Sequence, residues 1–200
     1  SKEFLFKNNY QGITEFLSKK SAKKGNGSML IYNKKLSVSP ITTHISLSQV
    51  NKNIDKSKIV KKVKVINNFY KKFFKKKPNF AILGLNPHNF SPLKNLKEKK
   101  IIVKAIKNLI KSKIKAKGPI TPDTSFMIFK KSKFDVIIGM YHDQVLSPIK
   151  AIYNFDAINI TLGLPFIRIS PDHGPNETML GKNLSNPLSL LKAIKFLDKN

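Results

Sequence analysis

The chain has 200 residues, of which 38 are Lys or Arg and 11 are Asp or Glu, so its formal charge is +27. Hydrophobic residues make up 40% of it, enough for the core of one domain or two small ones, which argues against a disordered chain. Cysteine is absent, and this excludes a disulfide scaffold, a Cys-ligated zinc finger, an iron–sulfur protein and a thiol nucleophile.

Hydrophobic periodicity predicts strands that alternate with helices, which is typical of an α/β fold with a mixed or mostly parallel sheet. We expect Gly118 and Pro119 to end the helix that is predicted at 96–114. The predicted elements in chain order are a helix at 14–23, strands at 29–32 and 36–43 joined by a turn at 33–35, a helix at 57–74, a strand at 80–85, a helix at 96–114, a strand at 134–140, strands at 157–162 and 166–169, and a helix at 187–197.

The positive charge comes almost entirely from lysine, because Arg168 is the only arginine. Surfaces that bind nucleic acid favour arginine, because its planar guanidinium group donates bidentate hydrogen bonds to phosphates and base edges. We therefore do not expect nucleic acid as the partner. The lysine runs are read as solvated helix surfaces, with a polyanion-binding patch as the alternative. The single arginine indicates either a phosphate- or carboxylate-binding role or a structural ion pair.

No apolar run approaches the roughly 20 residues of a membrane span, so we expect no membrane partner. Residues 1–9 have neither a signal-peptide layout nor an initiator methionine, and we therefore expect the chain to be a fragment. The absence of cysteine fits a reducing cytoplasm, which is the predicted location.

Each of the four histidines follows an apolar run that is typical of a strand: His44, His88, His142 and His173. The carboxyl ends of parallel strands line one crevice, so histidines distant in sequence can converge there. Neutral imidazole is a common ligand of divalent metals, and this indicates a metal site. For any one of these histidines, a hydrogen-bonded loop residue is the competing interpretation.

Other polar residues stand near these strand ends. Asp123 lies between prolines in a short loop and is predicted either to act as an acid–base group or to cap the following turn. Asp143 directly follows His142 and is placed to orient it. Lys150, Asn159 and Arg168 are the polar members of an otherwise apolar stretch and together can donate hydrogen bonds to an anion.

Six strings, taken together, closely resemble the 4-hydroxythreonine-4-phosphate dehydrogenase family of pyridoxal phosphate biosynthesis. The resemblance extends in order and spacing over nearly the whole chain. The strings are GITEFL at 12–17, TTH at 42–44, GLNPH at 84–88, GPITPDT at 118–124, MYHDQ at 140–144 and NITLGLPFIR at 159–168.

This resemblance implies a fold like that of the isocitrate and isopropylmalate dehydrogenases, with two domains and the N-terminal third missing here. It implies that residues 1–147 form the middle domain with the metal-binding histidines, and that residues 148–200 form the C-terminal part of the second, cofactor- and substrate-binding domain.

The resemblance also implies an activity. Family members oxidise 4-phosphooxy-L-threonine with NAD or NADP, and the product loses carbon dioxide to give 3-amino-2-oxopropyl phosphate. A divalent metal (zinc, cobalt or magnesium) and a homodimer that shares its active site are implied. The implied metal ligands are His44, His88 and His142. Asp123 is implied to lie near the reacting centre. The implied substrate contacts are Thr14, Lys150, Asn159 and Arg168. No cofactor-binding residue is assigned.

Ile13 stands where the family has a histidine that touches the substrate. Two alternatives therefore stay open. One is a dehydrogenase of another phosphorylated hydroxy acid, such as a four-carbon sugar acid phosphate. The other is an inactive, truncated scaffold whose lysine-rich helices bind polyanions.

Overall fold

The computed structural model describes residues 16, 17, 20, 27–87, 97–174 and 177–198. Within them, seven strands form one mixed sheet in the order β4-β3-β5-β2-β1-β6-β7. In chain order the strands are β1 (Ser28–Tyr32), β2 (Ser37–Pro40), β3 (Phe80–Leu83), β4 (Ala116–Ile120), β5 (Val136–Gly139), β6 (Ile158–Leu162) and β7 (Arg168–Pro171).

Strand direction decides which loops can meet. Strands β2, β3, β4 and β5 are mutually parallel, and β6 runs the same way because both β2 and β6 pair antiparallel with β1. Strand β7 pairs antiparallel with β6 and therefore runs the opposite way. We call the end at which β2 to β6 finish the carboxyl end of the sheet, and the opposite end the amino end.

The helices of the described residues cover both faces of this sheet. Helices α2, α3 and α6 pack on one face, whereas α4 and α5 pack on the other. The bounds are α1 (Leu47–Asn53), α2 (Lys56–Phe74), α3 (Lys97–Lys111), α4 (Pro122–Ile128), α5 (His142–Tyr153) and α6 (Leu188–Asp198), with a short 3-10 helix at Glu177–Met179.

The two faces bury separate apolar clusters because side chains alternate along each strand. Phe80 and Ile82 of β3 belong to the cluster under α2 and α3, whereas Ala81 and Leu83 belong to the cluster under α4 and α5. Helix α5 packs mainly on β2 and β5, so it lies beside β6 and β7 on its face rather than over them.

The α/β class and most predicted elements are confirmed, including the antiparallel pair β1–β2 and the long helices α2 and α3. The interpretation of Gly118 and Pro119 as the end of a helix is wrong, because α3 ends at Lys111 and both residues lie in β4. Strand β4 is at the edge of the sheet, where a proline is tolerated because it need not donate to a neighbour.

Helices α1, α4 and α5 were not predicted. Two of them have only seven residues, and α5 contains Pro148, which interrupts the helical pattern. The predicted helix at 14–23 lies largely outside the described residues. The predicted boundary after residue 147 falls within α5, and the division into two domains stays a prediction.

Among the described residues, no helix has both the length and the apolarity that a membrane crossing requires.

Candidate active site

The loop after β2 is fastened to the loop after β5 at the carboxyl end of the sheet. The Ile41 amide donates to the Gly139 carbonyl at 2.8 Å, and the buried Thr42 hydroxyl donates to the Met140 carbonyl at 2.8 Å. His44 follows with a φ of 52°, a left-handed conformation that histidine adopts more readily than most residues. The turn directs the chain so that the exposed His44 stands beside the start of α5.

His142 is the first residue of α5, and its imidazole is oriented by its neighbour. Its Nδ1 lies 2.6 Å from Asp143 Oδ1. When the Nδ1 proton is donated to this carboxylate, the lone pair of the ring is at Nε2, which is the arrangement found at many metal-binding histidines. Asp143 thus occupies the orienting position that the sequence predicted for it.

The rings of His44 and His142 have their centroids 6.0 Å apart and are inclined by 37°. Two imidazoles that bind one ion at about 2.0–2.1 Å have centroids roughly 5 Å apart, so these two rings stand about 1 Å farther apart than a metal-bound pair. The donor set therefore fits a divalent cation. In the described part of the chain no group of three His, Cys, Asp or Glu side chains is close enough to hold a metal, and His88 lies outside that part.

Gln144 ties together two strand ends and was missed by the sequence analysis. Its buried side chain accepts a hydrogen bond from the Met140 amide at 2.7 Å and donates to the Gly84 carbonyl at 2.9 Å. It thereby fixes the segment that precedes His88 to the segment that precedes His142. Gln144 lies in the first turn of α5, a helix that the sequence did not predict. Its bridging role gave no sequence signal, because only the fold brings the Gly84 carbonyl to it.

Gly139 is required where β5 meets α5. A Cβ atom at this position would lie 2.5 Å from Val145 Cγ1 and 3.1 Å from Gln144 Oε1. Because Val145 is fully buried, neither the helix nor the amide can move aside. Glycine therefore allows Gln144 to approach the end of the strand closely.

Asp123 lies on the first turn of α4, just after the end of β4. The Gly84 amide donates to the Ile120 carbonyl at 2.9 Å, which joins this loop to the end of β3. The Asp123 side chain is exposed, and its Oδ1 accepts a hydrogen bond from the Thr124 amide at 2.7 Å. The carboxylate is thus at the carboxyl end of the sheet and also satisfies an amide of the helix start, so both predicted roles are compatible with its position.

Asn159 and Arg168 lie on one face of the β6–β7 pair, together with Thr161 and Ser170. We call this the β6–β7 face. The register pairs Asn159 with Ser170 and Thr161 with Arg168, and directly opposed residues point the same way. Arg168 Nη1 donates to Thr161 Oγ1 at 2.8 Å, and burial lowers the pKa of the guanidinium, which is still charged at neutral pH. The Oδ1 atom of Asn159 is buried without a partner and can accept a hydrogen bond from a bound molecule.

Lys150 borders the β6–β7 face from the last turn of α5. Its Nζ donates to both the carbonyl and the carboxylate of Asp172, at 2.7 and 3.1 Å. In the described residues no hydrogen bond joins Lys150, Asn159 and Arg168 to one another, so the structure places the three along one face and not at one point.

Two predicted positions need separate mention. Thr14 lies outside the described residues. His173 follows β7, whose reversed direction places it at the amino end of the sheet, where its ring contacts Phe155 at a centroid distance of 5.6 Å. Strand direction therefore separates His173 from His44 and His142.

Comparisons with known proteins agree on one family. The model of the family described as "Pyridoxal phosphate biosynthetic protein PdxA" matches residues 2–197. A 4-hydroxythreonine-4-phosphate dehydrogenase of Sulfurihydrogenibium sp. is 46% identical over 189 residues, and one of Aquifex aeolicus is 40% identical over 191 residues. These alignments cover 93% and 94% of this chain but 58% of each relative, so the chain spans less than two thirds of their length.

Solved structures give the same result. A 4-hydroxythreonine-4-phosphate dehydrogenase from Klebsiella pneumoniae superposes with a TM-score of 0.80 at 31% identity, over 98% of this chain and 60% of that one. These findings confirm the predicted fold class and the resemblance drawn from the motifs. The chain belongs to the PdxA family of pyridoxal phosphate biosynthetic proteins.

Proposed function

We propose that this chain forms part of a 4-hydroxythreonine-4-phosphate dehydrogenase, which oxidises 4-phosphooxy-L-threonine with NAD or NADP. The hydroxyl carbon loses a hydride to the nicotinamide and its oxygen loses a proton. The resulting β-keto acid then loses carbon dioxide to give 3-amino-2-oxopropyl phosphate. The observation that carries the proposal is the pair His44 and His142, held with their rings 6.0 Å apart beside an orienting aspartate.

His44, His142 and His88 would hold the metal, with Asp143 fixing the tautomer of His142. A divalent metal supplies positive charge that lowers the pKa of a neighbouring hydroxyl, and the nicotinamide supplies the hydride acceptor. The loops that contain His44 and His142 are fixed by the Thr42 and Gln144 hydrogen bonds, so the two imidazoles need little reorganisation to bind.

Asp123 is the proposed proton acceptor, because its exposed carboxylate stands at the same end of the sheet as the histidines. Arg168 and Lys150 would neutralise the phosphate, and Asn159 would accept a hydrogen bond from the substrate. Thr14 is proposed as a further substrate contact on the resemblance alone. The proposed active unit is a cytoplasmic homodimer in which both subunits contribute to each site.

The test is an absorbance assay for reduced cofactor, with 4-phosphooxy-L-threonine, NAD or NADP, and added zinc, cobalt or magnesium. We expect turnover that is abolished in His142→Ala and retained in His173→Ala, because His173 lies at the other end of the sheet. Failure of the whole protein, of which this chain is proposed to form part, to reduce either cofactor with any of the three metals would contradict the proposal.

The residue Ile13 favours a second candidate substrate, a phosphorylated four-carbon sugar acid. Comparing kcat/KM for the two substrates separates the candidates, and a clear preference for 4-phosphooxy-L-threonine would eliminate the second one.

A further inference from the structure

Among the buried residues of the described part of the chain, Asp172 is the only one with a charged side chain. Its side chain is 1% exposed and pairs with Lys150, which is 40% exposed. Carboxylate Oδ1 accepts a hydrogen bond from the ammonium, whereas Oδ2 is buried without a partner. A carboxylate in this position depends on its cation, because removing the partner would leave an uncompensated buried charge.

The main chain of Asp172 is itself held in place. Its amide donates to Ser189 Oγ at 2.9 Å, and the Ser189 hydroxyl donates to the Ala157 carbonyl at 2.5 Å. Helix α6 thereby fastens the end of β7 to the start of β6. The carboxylate is therefore a rigid acceptor and not a mobile surface group.

This anchor restricts Lys150. An ammonium group has three protons, and Asp172 receives two of them, one at its carbonyl and one at Oδ1. The third proton is left for another acceptor, and the Lys150 side chain is 40% exposed. Lys150 can thus donate to a ligand without leaving Asp172.

The Lys150–Asp172 pair lies on the same side of the sheet as the β6–β7 face. Arg168 and Ser170 point to the β6–β7 face. Asp172 directly follows β7, and its carboxylate contacts Lys150 of α5, the helix beside this face. Arg168 and Asp172 are four residues apart, which is about 13 Å along an extended chain. Lys150 and Arg168 therefore approach the same face from its two ends.

We propose that Asp172 is a positioning residue, whose buried carboxylate holds the Lys150 ammonium in the orientation that binds an anion on the β6–β7 face. The inference rests on the proposed function, which assigns Lys150 to the substrate phosphate. Asp172 itself does not touch the anion.

Inorganic phosphate is the probe, measured by calorimetry on the full chain at fixed high chloride so that unspecific attraction is screened. We expect Lys150→Ala to weaken phosphate binding roughly tenfold, as expected for loss of a charge-assisted hydrogen bond. Asp172→Asn should weaken it nearly as much, and the double variant should bind no more weakly than Lys150→Ala alone. Asp172→Glu keeps the charge but moves it, so it should also weaken binding.

The surface pair Lys192–Asp156, whose side chains are 44% and 43% exposed, is the matched control. Lys192→Ala and Asp156→Asn should leave phosphate binding unchanged. Unchanged or tighter binding in Asp172→Asn would overturn the proposal, as would unchanged binding in Lys150→Ala or an equal loss in the control pair.

A ligand-free measurement covers variants that fold poorly. Thermal unfolding should show that the double variant is more stable than Lys150→Ala, because Asp172→Asn removes the buried charge that Lys150→Ala strands. If Asp172→Asn destabilised the parent chain and the Lys150→Ala variant equally, the energetic pairing of Asp172 with Lys150 would be overturned. Absence of dehydrogenase turnover would contradict the proposed function alone, since neither the phosphate series nor the unfolding series depends on turnover.

Discussion

The carboxyl and amino ends of the sheet use polar residues differently. At the carboxyl end, Thr42 and Gln144 are buried and bonded to the main chain of neighbouring loops, and they hold His44 and His142 close together. At the amino end, exposed lysines line two adjoining cavities of about 580 and 620 Å³ that share Lys35. The lysines of these two cavities therefore lie at the opposite end of the sheet from His44 and His142.

The amino end also contains fixed interactions, and apart from the Lys150–Asp172 pair those named here support the fold. Asp135 accepts hydrogen bonds from the Lys76 ammonium at 2.5 Å and from the Asn79 amide at 2.9 Å, just before β5 and β3 begin. The buried Tyr70 hydroxyl donates to Ser37 Oγ at 2.8 Å at the start of β2. We therefore expect substitutions at the carboxyl end to impair binding. At the amino end we expect the Lys150–Asp172 pair alone to affect binding, and other substitutions there to alter stability or nothing.

Gln144→Leu should have the largest effect on stability. It leaves the Met140 amide and the Gly84 carbonyl buried without partners, which costs about 3 kcal/mol in the free energy of unfolding and loosens the loops of the proposed metal site. Urea denaturation measures the loss. The exposed Gln49→Leu on α1 is the control and should change stability by less than about 0.5 kcal/mol; equal effects of the two variants would contradict the bridging role.

Arg168→Lys should have the next largest effect. Lysine keeps the charge but cannot offer a planar pair of donors, so phosphate binding should weaken roughly tenfold while stability changes little. Calorimetry with inorganic phosphate measures this, and Lys192→Arg serves as a surface control. Undiminished binding in Arg168→Lys would show that Arg168 has only the structural contact with Thr161.

Tyr70→Phe should cost about 1 kcal/mol of stability at neutral pH, because a buried hydrogen bond to Ser37 is lost. Tyr153→Phe is the control, since its buried hydroxyl has no partner and its removal should cost nothing. Burial raises the pKa of Tyr70 well above its ordinary value. The unfolded chain ionises first, so this contribution is present below about pH 10 and is lost as pH rises toward the folded pKa.

The stability difference between the parent and Tyr70→Phe should therefore shrink above about pH 10, whereas below it the difference should be constant. Urea denaturation across this range provides the test. A difference that grows with pH would show that Tyr70 ionises more readily in the folded protein than in the unfolded chain.

Lys77→Gln together with Lys130→Gln should have the smallest effect, below about 0.5 kcal/mol in stability and none on phosphate or metal binding. Both lysines line the first amino-end cavity. This double variant also tests the polyanion-scaffold alternative, which predicts nucleic-acid affinity that falls steeply with salt and drops on loss of these charges. Binding of the parent and of this double variant to duplex DNA, measured over a range of salt concentrations, decides between the proposed enzyme and the polyanion scaffold.

Sequence patterns were sufficient for the elements with long apolar periodicity and for the strand ends at which His44 and His142 stand. They did not predict β4, where Gly118 and Pro119 lie in an edge strand, or α5, where Pro148 breaks the pattern. The site depended on more than local pattern. Only strand direction separates His173 from the other two described histidines, and only tertiary packing brings Gln144 to Gly84 and Asp172 to Lys150.

Calorimetric titration of the apo protein with zinc or cobalt most directly tests the central claim that the carboxyl end holds a histidine metal site. We expect specific binding that is lost in His142→Ala and in His88→Ala and is unchanged in His173→Ala at the amino end. Binding that is absent, or equally strong in the parent and in His142→Ala, would contradict this account of the site.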